Sequence, residues 1–505
     1  MRHLLYVISD LHLGGAPSIG PGTDFQMCSP LGQARLAEFI RFVKEQSGPG
    51  RRVELVINGD FVDFLAEQPF SAFTLSDEMA RTKLAQAIGH TQGVWDQLAA
   101  FVKGGGCLTL LLGNHDLELS LPGPRRELLD RLGGGGQVEF IYDNQALRIG
   151  PILIEHGNRY DGWNAVDHAS LREMRSLASR QRPTDRPGNF TAPQGSQLVI
   201  DVMNEIKSQY SFIDLLKPEN EAAIPLLGVL APGYLHKLEL LVDLYKKRHR
   251  ASAVKFDEQG EPALRDYISA EPGRLVENDS MGAFFSQQAA QPSDAEQEPA
   301  ELAQTVEALR LTEELLGKLS QGRDEISARG WFNQARGLLE VVRGGQADER
   351  RKQIEHLRQA LRFFGRNEPR FLFTDWEQPE YRKPAESAAD RGFKYVVYGH
   401  THLLRNLPLH FGAHYFNTGT WADLIFLPKE VFDGDETAAH TRLESFVHDL
   451  AEGNLSRWRG PLPSYAYFEL GDGGSCQGWL RIFDSARQQR SVEPGQAIWR
   501  LHGRG

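Results

Sequence analysis

The sequence Gly113-Asn114-His115-Asp116 follows directly on the largely apolar run Cys107-Leu108-Thr109-Leu110-Leu111-Leu112. A continuous run of this kind predicts a strand buried on both faces, with the tetrapeptide in the loop at its carboxyl end. In α/β sheets, ligands and metal ions are held at such strand ends. The tetrapeptide by itself is a modest signal, because Gly, Asn and Asp also suit turns.

Side chains that suit metal binding follow four other predicted strands in the same way. They are Asp10 and His12 after 4–8, Asp60 after 53–58, His156 after 146–155, and His400 and His402 after 394–398. Each group alone is more simply a cap, a turn or a surface loop. Five strand ends carrying such groups in one chain indicate a single shared site.

With Asn114, these strand ends supply seven oxygen and imidazole donors and no thiolate. Such donors suit borderline divalent ions, namely Mn²⁺, Fe²⁺, Co²⁺ or Zn²⁺. Seven donors exceed the needs of one four-coordinate ion, but two ions that share one carboxylate use all of them. Two ions about 3.5–4 Å apart activate a hydroxide and neutralise charge that develops on a phosphoryl group. The pattern therefore predicts metal-dependent hydrolysis at phosphorus.

The motif order Asp-x-His, Gly-Asp, Gly-Asn-His-Asp, His and Gly-His-x-His resembles the calcineurin-like metallophosphoesterase superfamily. The resemblance covers roughly residues 1–160 and 390–485, and it implies a two-sheet αββα sandwich with two divalent metal ions. We expect Mn²⁺, with Fe²⁺, Zn²⁺ or Co²⁺ as alternatives. The ligands that the resemblance implies are Asp10, His12 and His402 for the first ion, Asn114, His156 and His400 for the second, and Asp60 as the bridge.

The resemblance places His115 beside the scissile phosphate rather than at a metal ion. There an imidazole stabilises the transition state or protonates the leaving oxygen. Asp116, counted with His115 as catalytic, and Asp63 are expected to orient the histidines.

The residues after His156 are candidates for substrate contact, with capping of the next helix as the alternative. They are Arg159, Tyr160, Asp161 and Asn164, of which Arg159 and Asn164 are taken as substrate-binding. Asn417 and Thr418 lie near the expected metal site, where a structural role is favoured over a direct one.

The predicted fold class is α/β, a four-layer αββα metallophosphoesterase sandwich interrupted by a large, mainly helical insertion. The first part of the core is expected at 1–160, the insertion at 161–390 and the second part of the core at 391–505. Within them, 76–103 has the pattern of one long helix, and 464–470 and 478–483 of late strands in a second sheet. Residues 287–299 have a disordered composition.

The composition and charge of the chain bear on its binding partners and its cellular setting. The net charge is −11 and the pI about 5.9, which weighs against tight non-specific binding of nucleic acid. The three cysteines are too few for a disulfide framework, which favours a cytoplasmic setting. The N-terminus has the pattern of a strand rather than a signal peptide. No apolar run approaches the length of about 20 residues that spans a bilayer.

Two segments of the insertion leave alternatives open. The basic run 246–250 is either a solvated helix face or a phosphate or nucleic-acid contact. The apolar segment 224–245 is either core of the insertion or a lid or surface for a protein partner. The oligomeric state is not predicted.

The expected substrate contains phosphate, is nucleotide-type or nucleic acid, and is cut at a phosphodiester or pyrophosphate bond. Two branches of the superfamily resemble parts of the chain. UDP-diacylglucosamine pyrophosphohydrolases share Ser-Asp-Leu-His-Leu, but are about half as long and usually have Arg where His115 stands. DNA-repair nucleases that act with a partner ATPase share the intact Gly-Asn-His-Asp, but carry their extra mass at the C-terminus. A DNA exo- or endonuclease acting with a partner protein is thus one alternative, and a partner-binding scaffold on a relict core is another.

Overall fold

The computed structural model describes most of the chain outside its middle third. The described residues are 2–16, 25–134, 136–143, 146–180, 190–217, 372–428, 430–433 and 435–503, with 226, 354, 355, 357, 358 and 361. The segments 224–245 (apart from 226), 246–250 and 287–299, on which several predictions fall, lie outside them. No helix among the described residues is long and apolar enough to cross a bilayer.

The described strands are short and spread along the chain. They are β1 (Arg2–Ile8), β2 (Arg51–Asn58), β3 (Cys107–Leu111), β4 (Val138–Ile141), β5 (Leu147–Ile149), β6 (Ile152–Ile154), β7 (Leu216–Lys217), β8 (Tyr395–Tyr398), β9 (Leu404–Pro408), β10 (His414–Thr418), β11 (Asp423–Phe426), β12 (Gly460–Pro461), β13 (Ser464–Leu470), β14 (Cys476–Ser485) and β15 (Gln488–Ser491).

The described α-helices alternate with these strands in the first 180 residues. They are α1 (Pro30–Glu45), α2 (Asp77–His90), α3 (Gln92–Lys103), α4 (Pro122–Arg131), α5 (His168–Ser179), α6 (Gln194–Leu198), α7 (Asn204–Lys207), α8 (Pro379–Asp390), α9 (Glu430–Asp433), α10 (Glu436–Ala451) and α11 (Ile498–His502). A π-helical turn, Val199–Met203, joins α6 to α7.

Two large sheets carry the predicted site. The first has the order β15-β14-β13-β1-β2-β3-β4, in which β1 to β4 run parallel and β13 to β15 antiparallel. The second has the order β5-β6-β8-β10-β9. A small third sheet, β12-β11-β7, lies beside them.

Alternation along β1 shows how the layers pack. Tyr6 and Ile8 contribute to the core that α1, α2 and α3 cover, whereas Leu5 and Val7 contribute to the core shared with Ile154 of the second sheet. Successive side chains of a strand point to opposite faces, so a strand buried on both faces has apolar residues throughout. On the far side of the second sheet, α8 supplies buried alanines against β8 and β10. The layers are thus helix, sheet, sheet, helix, as expected for a metallophosphoesterase fold.

Three local expectations need correction. The stretch 76–103 forms two helices, α2 and α3, that meet at Thr91, whose φ of −131° is not helical. The stretch 146–155 forms the hairpin of β5 and β6, because Gly150 turns the chain with a φ of +58°. Strands β13 and β14 do not lie in the second sheet: β13 pairs with β1, for example Tyr6 with Tyr467. Pairing between strands more than 400 residues apart leaves no local signal in the sequence.

The described part of 161–390 is helical at both ends. It contains α5 to α7 and, before β8, α8, and Leu171 and Met174 of α5 pack in the core of the first sheet. The boundaries at 160 and 390 remain predictions.

Candidate metal centre

The predicted ligands come together where β1, β2, β3, β6 and β8 end. The loops after β1 and β2 run side by side, and the backbone N–H groups of Asp10 and His12 donate to the carbonyls of Gly59 and Asp60. The His400 backbone N–H donates to the Asp10 carboxylate at 3.0 Å. Five loops from both large sheets therefore meet at one point, as expected from strand ends that share an edge.

Among the described residues, three groups of acidic and histidine side chains could hold a metal ion: one is His12, Asp63 and His115, and the other two share a carboxylate. Each group has one potential ligand atom per residue, all within 4.8 Å of one another. Of the two that share a carboxylate, the first group is Asp10, His12, Asp60 and His402, and the second is Asp60, His156 and His400. These are the residues that the resemblance assigns to the first and second ion, and the shared one is the expected bridge. Asn114 belongs beside the second group, since its side chain joins the network around His400 described below.

The backbone of these loops is unusual. Six described residues other than glycine have a positive φ, and five of them are predicted ligands: Asp10, His12, Asp60, His400 and His402, with φ between 43° and 69°. A side chain with a Cβ rarely adopts this left-handed conformation, and it costs free energy unless the surroundings impose it. Backbone strain of this kind concentrates at functional sites. Here the left-handed conformation turns the donor side chains of neighbouring loops toward one another.

Three glycines let the loops approach this closely. A Cβ on Gly59 would lie 2.4 Å from the His156 ring, one on Gly113 would lie 2.1 Å from Oδ1 of Asp60, and one on Gly399 would lie 2.5 Å from Oγ of Ser9. Each distance is too short for a real carbon atom. The glycine that precedes each ligand in Gly-Asp, Gly-Asn-His-Asp and Gly-His-x-His is thus required by packing against another loop.

The buried polar atoms fit divalent ions. Oδ1 of Asn114, Oδ2 of Asp60 and Nε2 of His156 are buried and make no hydrogen bond, although the last two lie 3.2 Å apart. Buried groups without a partner are costly and rare, and a metal ion satisfies such atoms. Nδ1 of His156 is already used, since it lies 2.7 Å from the carbonyl of Asn58, and this leaves Nε2 for an ion.

The electrostatics of the cluster also favour cations. Burial by itself would raise the pKa of Asp60, but the surrounding imidazoles of His156, His115 and His12 outweigh it and hold the pKa well below its usual value. For His402, burial lowers the pKa to about 4, and His12 and Lys217 act in the same direction, so its ring is neutral and has a free electron pair at neutral pH. Burial would lower the pKa of His156, but Asp60 and Asp10 outweigh it and raise the pKa to about 10. An ion at this ring therefore takes the place of a proton, because metal ligands need ionised carboxylates and neutral imidazoles.

His115 lies at the edge of this cluster against Asp63. Its Nδ1 is 3.2 Å from Oδ1 of Asp63, and the other carboxylate oxygen of Asp63 lies 3.4 Å from Nδ1 of His12. Burial would lower the pKa of His115, but Asp60 and Asp63 outweigh it and raise the pKa to about 9. The His115 side chain is 19% exposed, against 0% for His12 and 2% for His156. A solvent-borne substrate can therefore reach His115.

Asp116 has a different surrounding from the one expected. Its carboxylate accepts the backbone N–H of Gly113 at 2.7 Å and that of Phe61 at 2.8 Å, and among the described residues it hydrogen-bonds no imidazole. Burial and the nearby charge of Asp60 raise its pKa to about 7. Asp116 thus ties the Asn114 loop to the Asp60 loop, whereas Asp63 holds the imidazoles.

The segment after His156 bends over the second group. The guanidinium of Arg159 lies 5.6 Å from the centre of the Tyr160 ring. Asn164 is taken from the sequence as a substrate contact. Its amide oxygen accepts a hydrogen bond from Asn114, and its amide nitrogen donates one to Asp161. Asp161 lies 3.3 Å from Nε2 of His400, a contact between residues 239 positions apart that no local pattern indicates.

The loop after β10 supports the first group through hydrogen bonds to the backbone of the ligand loops. Asn417 donates to the carbonyl of Gly399 at 2.7 Å, and Thr420 donates to the carbonyl of Asp10 at the same distance. Ser9 and Thr418 share a hydrogen bond of 2.7 Å. Asn417 and Thr418 contact the ligand loops rather than the ligand side chains, in line with the structural role favoured for them.

A comparison with protein-family models matches residues 3–204 to calcineurin-like phosphoesterase. The matched part, which is less than half of the chain, supports the resemblance to the calcineurin-like metallophosphoesterases. The match includes the loops of Asp10, Asp60, Asn114 and His156, and the structure brings the loop of His400 to the same place. Similarity to this family supports metal-dependent hydrolysis of phosphoesters, and the buried cluster fits divalent metal ions. A search of curated proteins finds no match to the chain.

Proposed function

We propose that this phosphoesterase binds two divalent ions, Mn²⁺ in the first place, and hydrolyses phosphodiester or pyrophosphate bonds of a nucleotide-type substrate. The observation that carries the proposal is the pair of ligand groups that share Asp60, with His115 beside them and accessible. Two ions at such a site, when bound, activate a water molecule and neutralise charge on the phosphoryl oxygens.

The residues of the chain have separate tasks in this proposal. Asp10, His12 and His402 would hold the first ion, Asn114, His156 and His400 the second, and Asp60 both. His115 would contact the phosphoryl or leaving oxygen. Asp63 fixes its ring through Nδ1, so that Nε2 is the nitrogen left to meet the substrate.

The role of His115 supports a substrate whose leaving group is a strong base, such as an alkyl diester, or a phosphate, as in a pyrophosphate, over one with an activated leaving group. An alkoxide or phosphate leaving group departs more easily when a positioned acid supplies a proton, and a buried carboxylate behind an imidazole keeps the proton available there. Asp63 is 3% exposed and lies within hydrogen-bonding reach of His115.

The test is a hydrolysis panel in Mn²⁺ that contains bis(p-nitrophenyl) phosphate, p-nitrophenyl phosphate, a nucleoside diphosphate sugar and end-labelled linear DNA. It compares the wild type with Asp60→Asn and His115→Ala. Asp130→Asn and His410→Ala are matched controls, because both residues are exposed and lie outside the two ligand groups.

We expect the wild type and both controls to cut the diester faster than the monoester, and the two site variants to be inactive or nearly so. Cleavage of the DNA as well would extend the substrate class to nucleic acid. Unchanged hydrolysis in Asp60→Asn would overturn the proposal. So would a wild type that binds metal but cuts no member of the panel, which is the result expected of a relict scaffold.

A further inference from the structure

Asp161 holds the ring of His400. Its Oδ2 atom lies 3.3 Å from Nε2 of His400, and both side chains are largely buried, with 7% and 8% exposed. A carboxylate accepts hydrogen bonds and donates none, so Nε2 of His400 bears the proton in this pair. A histidine that gives Nε2–H to a carboxylate has Nδ1 left for a metal ion, and the carboxylate fixes the ring orientation.

The same carboxylate oxygen also fixes an amide. Asn164 donates its Nδ2 to Oδ2 of Asp161 at 2.8 Å. Because the carboxylate can only accept, the NH₂ group of Asn164 must face it, and the amide oxygen must then face the other way. This oxygen accepts Nδ2 of Asn114 at 3.4 Å. The NH₂ group of Asn114 is thereby turned toward Asn164, and its Oδ1 is left buried without a hydrogen bond.

We propose that Asp161 and Asn164 are positioning residues that set the orientation of two donors to the second ion, His400 and Asn114. The inference rests on the proposed function, since it assigns a task around one of its two metal ions. The chain of hydrogen bonds runs from His400 through Asp161 and Asn164 to Asn114, and thus joins loops of the two large sheets.

Neighbouring groups hold these two residues in place. Asp161 accepts the backbone N–H of Trp163 through Oδ1 at 3.0 Å, and Asn158 donates to the backbone carbonyl of Asn164. Helix α6 packs against them, because a Cβ on Gly195 would lie 2.2 Å from Oδ1 of Asn164. Helix α6 therefore supports the side chain of Asn164, and through it the metal centre.

The alternative is that Asp161 only shapes the turn that precedes α5. Asp167 offers a matched comparison, because its carboxylate caps α5 by accepting the backbone N–H groups of Ala169 and Ser170 and has no contact with the ligand groups. A purely structural Asp161 would behave like Asp167 on substitution, with an effect on stability and none on metal content.

The experiment measures bound Mn²⁺ per chain and its two dissociation constants by titration calorimetry, with an electron paramagnetic resonance spectrum of the loaded protein. The variants are Asp161→Asn and Asn164→Ala, with Asp167→Asn as control. In Gly195→Ala the added methyl group would displace the side-chain amide of Asn164. Gly93→Ala is the control for this variant, since a Cβ on Gly93 meets open space. The melting temperature in EDTA reports whether each variant is folded.

We expect Asp161→Asn, Asn164→Ala and Gly195→Ala to weaken one of the two Mn²⁺ sites about 10- to 100-fold. They should keep the other site and replace the spectrum of coupled ions by that of a single ion, whereas both controls keep two ions. Two unchanged dissociation constants in folded Asp161→Asn and Gly195→Ala overturn the inference and leave the proposed function standing. A wild type that binds no Mn²⁺ overturns both. If Asp161→Asn is unfolded in EDTA, the Asn164 and Gly195 variants decide by the same criterion.

Discussion

The Nε2 atoms of His12 and His402 lie 2.9 Å apart, although the two residues are separated by 390 positions in the chain. The same atoms face carboxylates, since Nε2 of His402 is 3.5 Å from Asp10 and Nε2 of His12 is 3.9 Å from Asp60. Two imidazoles and two carboxylates therefore converge on one largely buried position, where a single cation could contact all four.

Removal of metal should therefore destabilise the protein. Without a cation, the buried carboxylates of Asp10 and Asp60 repel each other, whereas bound ions stabilise the folded state by mass action. We expect the free energy of unfolding to rise by about 3 kcal/mol for each bound ion when free Mn²⁺ exceeds the dissociation constant of that site about 100-fold. Urea unfolding in EDTA and in Mn²⁺ measures this difference. Equal stability in both would contradict the presence of a metal centre.

Loss of the His115 side chain should impair catalysis and leave metal binding intact. His115→Ala is expected to lower kcat by about 10²- to 10⁴-fold while Mn²⁺ content stays at the wild-type value, because His115 lies outside the two ligand groups that share Asp60. If His115 protonates the leaving oxygen, the loss is larger for an alkyl diester than for bis(p-nitrophenyl) phosphate, whose leaving group is already a weak base. His410→Ala is the control, and an equal loss for both substrates would assign His115 to charge stabilisation alone.

Alanine at Gly113 should disrupt the site by a purely steric route. The added methyl would lie 2.1 Å from Oδ1 of Asp60, so either the bridging carboxylate or the Asn114 loop must move. Overpacking of this kind typically lowers stability by about 1–3 kcal/mol. We also expect hydrolysis to fall at least about 100-fold, because a displacement of about 1 Å of catalytic groups can cost that much in rate. Activity assays and urea unfolding measure the two effects. Gly89→Ala in α2, where a Cβ meets open space, should leave activity unchanged. Wild-type activity in Gly113→Ala would show that the loops do not need this approach.

The strand ends and the donor side chains that follow them could be predicted from the sequence, because apolar strands followed by polar loops are local patterns, whereas the assignment of each histidine to an expected ion followed from the resemblance. The layout of the layers followed from the resemblance. The Asp161 contact with His400, the pairing of β13 with β1 and the left-handed backbone at Asp10 could not be predicted in this way. They depend on which distant segments meet, and single-residue propensities carry little information about that. Asp116 illustrates the limit, since its place in the motif gives no sign that it binds two backbone N–H groups.

The pH dependence of stability should include a contribution from Glu54 on β2. Burial would raise its pKa, but contacts with His3, Thr109 and Arg52 outweigh burial and lower the pKa. A carboxylate with a lowered pKa stabilises the fold above its unfolded-state pKa, near 4.5, and this contribution is lost as the pH falls through the lower folded-state value.

We therefore expect Glu54→Gln to be less stable than the wild type by about 1–2 kcal/mol at pH 7, with the difference shrinking below about pH 4.5. Urea unfolding in EDTA at several pH values measures it. Glu139→Gln, at an exposed position of β4, is the control. A difference that stays constant down to pH 3.5 would show that the carboxylate charge is not the cause.

The most direct test of the dinuclear centre is the Mn²⁺ content of the purified wild type and of Asp60→Asn after equilibration with excess metal and gel filtration. We expect two ions per chain in the wild type and in the Asp130→Asn control, and fewer than one in Asp60→Asn, because both ligand groups depend on that carboxylate. One ion or none in the wild type, or two ions in Asp60→Asn, would contradict the claim that Asp60 bridges a dinuclear centre.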